Sequence, residues 1–194
     1  MKTITKKFRL PLGLLFCSVF LISCLETKEN EVAEVTIEQP AVEAASQKYA
    51  NIVEECLNVM QDFNFDGLGV YLADDVQWYW PNGGMETRSI IKGKENVINF
   101  WKNWRATSGV ESMQFYNSDF MPLRTNRSND QYNVVGVVVL YYGDITIYGK
   151  AGSTIVRQHL VFSFNDDDKI KNIFSYYDRT GIVQLLNVDL SSTN

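Results

Sequence analysis

The chain has 194 residues, a formal net charge of −5 and a single histidine. With 23 acidic side chains against 18 basic ones, it lacks the basic surplus on which nucleic-acid surfaces depend. No glycine-rich phosphate loop or serine-nucleophile turn is present.

In chain order, the first element is a leader. Lys2, Lys6, Lys7 and Arg9 precede a short apolar run, "LPLGLLFCSVFLIS", which is too short to span a bilayer and has the layout of a secretory signal. The run ends in Leu21-Ile22-Ser23-Cys24, which resembles the lipobox of bacterial lipoproteins. That resemblance implies removal of residues 1–23 and acylation of Cys24. It also implies a lipid-anchored protein of the cell envelope, in the outer membrane, facing the periplasm or the cell surface. Cleavage takes away four cations and no anion, so the formal charge moves from −5 to −9. Residues 24–45, including "LETKENEVAEVTIEQP", read as an acidic tether leading to a domain at 46–187, with a short tail at 188–194. Cys17 leaves with the leader and Cys24 carries lipid, so Cys56 stands alone and no internal disulfide forms.

Within the domain, apolar residues at Tyr49, Ile52, Val53, Cys56, Val59, Met60 and Phe63 recur at helical spacing. That stripe makes Cys56 a core residue. A short helix is predicted over 65–72, then a strand through "DDVQWYW", ending at Pro81-Asn82-Gly83-Gly84. Val97, Ile98, Trp101 and Trp104 mark the buried stripe of a helix over 94–106. Strands follow at about 110–124, 131–142, 153–165 and 169–178, and "GIVQLLNV" closes the chain as a tail. The class is α+β, with helices first and then a run of antiparallel strands.

The segment "DFNFDG" matches the first half of a calcium loop, but the twelfth position, where a bidentate Glu is required, is Ala73. It is read as a helix end and turn. Asp166, Asp167 and Asp168 read as a solvated hairpin tip. No metal or cofactor is expected.

Taken together, "YLADDVQWYWPNGG", "IKGKENVINFW" and "RQHLVFSFNDDDKIKNIFSYYD" resemble, in that order, the SnoaL-like branch of the NTF2-like superfamily. The resemblance implies a cone: N-terminal helices packed in a strongly curved mixed or antiparallel sheet that encloses an apolar pocket. It implies a small, largely apolar ligand, and a homodimer through the open sheet face. Alternation on the strand at 153–165 puts Arg157, His159, Val161 and Ser163 on one face, and Val156, Gln158, Leu160, Phe162 and Phe164 on the other. The second set is the more apolar. Limonene epoxide hydrolases of this superfamily carry Arg-x-Asp on one late strand and an Asp ending an aromatic stretch on the next. Arg157-x-His159 and Tyr177-Asp178 are similar to those positions, with His159 replacing the first Asp.

On that resemblance, Arg157, His159 and Asp178 are the candidate catalytic trio, and Trp78, Trp80, Phe174 and Tyr176 the candidate pocket walls. Three readings stay open: a binding domain, an isomerase, cyclase, dehydratase or hydrolase using a His/Asp pair, and a non-catalytic dimerising module.

Overall fold

The structure is a computed structural model describing residues 40–84, 86–128 and 134–187. The expected signal peptide, Cys24, the tether up to residue 39 and the tail at 188–194 lie outside these residues. Among the described residues, no helix is long and apolar enough to cross a membrane.

Among the described residues, three α-helices form where apolar spacing predicts or permits them: α1 (Lys48–Gln61), α2 (Lys94–Thr107) and α3 (Thr180–Leu186). Helix α1 buries Ala50, Val53, Cys56, Leu57 and Met60, and α2 buries Val97, Trp101 and Trp104. In each case these residues form one stripe, and the opposite face is charged and solvated. A six-residue 3-10 helix, Phe65–Val70, follows α1. The calcium-like segment is the turn between the two. Asn64 caps the 3-10 helix by accepting from the Gly67 amide at 3.3 Å, and Asp66 pairs with Lys102 at 2.6 Å.

Among the described residues, seven strands form one sheet: β1 (Val42–Ala44), β2 (Leu72–Tyr79), β3 (Ile90–Lys92), β4 (Val110–Thr125), β5 (Gly136–Gly149), β6 (Gly152–Phe164) and β7 (Ile170–Tyr176). Their spatial order is β1-β4-β5-β6-β7-β2-β3. All neighbours are antiparallel except β2 and β7, which run parallel. The parallel pair makes the sheet mixed, as the resemblance allows. The chain between β2 and β7 includes a helix and three long strands, so no tight turn dictates their direction.

Three departures have local causes. Val42–Ala44, expected in the tether, pairs with Leu123–Thr125 as the edge strand. Thr180–Leu186 is a helix that buries Ile182 and Leu186, where a tail was expected. Strand β5 runs on past Gly143 and Asp144, which read as turn residues in isolation. Gly143 stays in the strand because a Cβ there would collide with the hydroxyl of Tyr141.

Curvature has a visible source in β4. The register shifts between Tyr116 and Asp119, and Asn117 sits at φ 51°, a bulge that bends the strand. The Asn117 amide donates to Asp144 on β5 at 3.0 Å, which fixes the bend. The curved sheet wraps α1 and α2. Its inner face, with the helices, supplies the main core; a smaller cluster of Val138, Val161 and Phe174 lies on the outer face. At the β6–β7 hairpin, Asp168 is tied down and not freely solvated. It accepts from Lys48 Nζ at 2.8 Å and from the Tyr49 hydroxyl at 2.7 Å, both on α1.

Candidate functional site

The inner face of the sheet and the helices leave a narrow cavity of about 40 Å³, room for a few water-sized spheres. Its walls are apolar for the most part: Leu57 and Met60 from α1, Met113 and Phe115 from β4, Ile145 and Ile147 from β5, Leu160 from β6 and Ile182 from α3. Three tryptophans, Trp78, Trp101 and Trp104, add aromatic faces. Trp101 and Trp104 sit one turn apart on α2 and meet edge to face at 5.4 Å, and Trp78 tilts against Trp101 at 5.1 Å. Such pairs hold one another at fixed angles.

Three polar atoms on lining residues decide what this space is suited to. Trp101 Nε1, Trp104 Nε1 and Gln158 Oε1 are buried and have no hydrogen-bond partner among the described residues. The side chains that carry them belong to residues 7%, 2% and 8% exposed. A buried polar group without a partner costs about 1–3 kcal/mol. Two indole donors on α2 and one amide acceptor on β6 are therefore left uncompensated among the described residues. Ser175 also lines the space; its Oγ accepts from Trp78 Nε1 at 3.0 Å, leaving its own proton to give. Gln158 stands opposite Gly143 on β5, over which the Tyr141 side chain lies.

No Asp, Glu, His, Lys or Arg is among the lining residues. The one ionisable hydroxyl is that of Tyr177. Burial pushes its pKa far up, with the nearby Arg179 charge pulling weakly the other way. At neutral pH it is a hydrogen-bonding phenol and not a base. Burial also pushes the Cys56 thiol up to about 12, which leaves it inert inside α1's core stripe.

The structure does not bring Arg157, His159 and Asp178 together, and none of them lines the cavity. Strand alternation sends Arg157 and His159 to the outer face. The inner face takes Val156, Gln158, Leu160 and Phe162, the more apolar set. Arg157 is 87% exposed and donates from Nε to Asp144 Oδ1 at 3.1 Å. Asp144 is held below the usual carboxylate range, by the Asn117 amide first and Arg157 second. His159 stacks between its cross-strand neighbours Tyr142 and Tyr176, with centroids at 4.3 and 5.6 Å, and its Nδ1 donates to the Tyr141 carbonyl at 3.2 Å. Burial lowers its pKa, and the Tyr141 hydrogen bond opposes the shift. Asp178 lies past the end of β7, exposed, with Oδ1 accepting from the Thr180 amide at 2.8 Å. Its carboxylate caps the start of α3 and does not orient an imidazole.

The four expected wall aromatics divide in the same way. Trp78 lines the cavity, and Trp80 is buried behind it, stacked at 6.3 Å. Phe174 and Tyr176 belong to the outer cluster, where Phe174 stacks on Tyr79 at 4.5 Å. Gln158, Ser175, Trp101, Trp104 and Tyr177 were missed. One sequence signal pointed to Gln158: it is the lone polar residue in the more apolar parity set of its strand.

No family model matches the sequence, and no curated protein does. Solved structures do match. An NTF2-like protein from Burkholderia xenovorans LB400 shares 17% identity at a TM-score of 0.53, covering 75% of this chain and all of its own. A candidate polyketide cyclase from Xanthomonas campestris shares 15% at 0.53, covering 72% and 97%. A candidate isomerase from Bacillus subtilis shares 11% at 0.53, covering 75% and 97%. At these identities the likeness establishes the fold alone: the chain has the NTF2-like fold.

Proposed function

We propose that the cone is a binding site for one small neutral molecule, mostly apolar, that presents hydrogen-bond acceptors and at least one donor. The reading is carried by the three unpartnered polar atoms on Trp101, Trp104 and Gln158 in an otherwise apolar wall. A ligand with acceptors for the indoles and a donor for the amide would satisfy all three. A net charge would be desolvated with no counter-charge beside it, which the chemistry of the wall opposes. The same absence of lining acids and bases favours binding over proton-transfer catalysis, although some fold neighbours are described as a cyclase or an isomerase.

Two environment-sensitive dyes with the same aromatic skeleton test this. Neutral N-phenylnaphthylamine carries one N–H; anilinonaphthalene sulfonate adds an anionic group. The neutral dye is expected to bind at least about tenfold more tightly, which corresponds to about 1.4 kcal/mol. Equal affinity, or preference for the sulfonate, contradicts the proposal.

We also propose that the domain works from a membrane surface, tethered through an acylated Cys24, because the basic leader, apolar run and lipobox stand in the required order. Mass spectrometry of the mature N-terminus decides this. A different N-terminal residue in protein from its own host would refute it.

A further inference from the structure

Every residue lining the cavity is buried except two, Phe115 and Tyr177. Tyr177 has a second position in the architecture. It also lines a surface depression formed by Pro81, Asp178, Arg179, Thr180, Val183 and Gln184. The same side chain therefore bounds the interior on one side and solvent on the other. Its residue is partly exposed, while its hydroxyl is buried deeply enough for desolvation to dominate its titration. The ring thus reaches inward from the surface. Phe115, the other exception, lies mid-strand in β4, and its amide donates to Gln61 Oε1 at 2.8 Å, which pins that wall to α1.

The elements around Tyr177 are a strand-to-helix link and a short helix, outside the strand ladder. Tyr177 lies just beyond the end of β7, in the link to α3. Helix α3 has seven residues and is seated through Ile182, Leu186 and the close approach of Gly181 to Thr154. Its first turn is held from outside by the Asp178 carboxylate on the Thr180 amide. A tyrosine between two β-strands would be fixed by the ladder; one in a strand-to-helix link can swing by rotating χ1 with little backbone change.

We infer that Tyr177 is the gate of the cavity, and that ligand enters from the depression between Pro81 and α3. This rests on the proposed binding role, and it also gives Asp178 a role: by holding α3's first turn it positions the frame in which the gate swings.

The chain carries its own reporters. All four tryptophans are buried, and three of them line the cavity. In the full chain, acrylamide quenching of tryptophan fluorescence should rise about three- to tenfold in Tyr177→Ala, and stay near wild type in Tyr177→Phe. Stopped-flow mixing with N-phenylnaphthylamine should show association and dissociation both faster by about tenfold in Tyr177→Ala, with the affinity changed less than the rates. Tyr177→Leu repeats the measurement in a variant that keeps most of the buried volume, and near-UV circular dichroism verifies that each variant is folded. If a folded Tyr177→Ala or Tyr177→Leu quenches like wild type while Phe115→Ala opens the cavity, the gate lies in β4 and the inference is wrong. If the dye fails to bind any variant, the binding role fails, and the quenching comparison still decides the gate.

Discussion

The two faces of β6 differ in how their polar groups are provided for. On the outer face each has an answer: Arg157 has Asp144, Asp144 also has Asn117, and His159 has the Tyr141 carbonyl and two flanking rings. On the inner face Gln158 Oε1 has none among the described residues, nor have the two indole nitrogens carried by α2. Titratable residues clustered on a strand look like chemistry, yet here they are a completed network. The neutral amide looks like a core residue, yet it is left wanting. Satisfied polar groups hold a fold together; an unsatisfied buried one calls for an explanation of its own, and Arg88 Nε, beside Tyr176, is another.

The sharpest break in this comparison is at the inner wall itself. Trp101→Ala removes an indole packed against Phe65, Trp78, Trp80, Phe100 and Trp104, and should cost about 3–5 kcal/mol of stability along with all dye binding. A variant of near wild-type stability in chemical denaturation would mean that the wall is not packed as described.

A smaller effect is expected on the outer face. Asp144→Ala leaves the Asn117 amide and the Arg157 guanidinium without their shared acceptor and frees the bulge in β4. The melting temperature should fall by several degrees while the neutral dye binds as before. Dye affinity falling in step with stability would show that the faces are not separable.

The smallest effect is in the pH profile. His159 is held below the ordinary imidazole range, chiefly by burial. The unfolded chain therefore takes up a proton at a pH where the native state does not. Stability contributed by the neutral ring is present above the unfolded value of about 6.5 and declines as pH falls below it. The paired carboxylates Asp144 and Asp168, whose values are lowered, titrate further down and do not share that window. His159→Gln should flatten the melting temperature just below about pH 6.5. Asp178→Asn should leave the His159 NMR titration where it is, since Asp178 is engaged with the Thr180 amide. A moved titration would restore the pairing that the geometry denies.

Most of the fold was legible in the sequence because periodicity reports burial directly. The stripes of α1 and α2 and the alternation of β2 appear where apolar spacing puts them. Elements whose signal is weak or tertiary were missed. Three-residue edge strands carry no period, and α3 is too short to show one. The extension of β5 past Gly143 depends on Tyr141 lying over a glycine, which no local pattern records.

The site was misread for a different reason. Parity correctly separated Gln158 from His159, and the more apolar set correctly marked the inner face. Resemblance to a catalytic pattern then assigned the pocket to the other set. Sequence shows which residues share a face, but not which polar groups end up without partners, and that second fact locates the cavity's chemistry.

The central claim is that Gln158 is kept for a ligand and not for the fold, and one variant tests it on both counts. Gln158→Met preserves length and removes the unpartnered acceptor. Thermal unfolding and N-phenylnaphthylamine titration are to be measured on the same preparation. The account predicts a melting temperature at or above wild type, because an unsatisfied buried oxygen worth about 1 kcal/mol or more is gone, together with a dye affinity about three- to tenfold weaker. A variant that is less stable and binds the dye as tightly as wild type would contradict it.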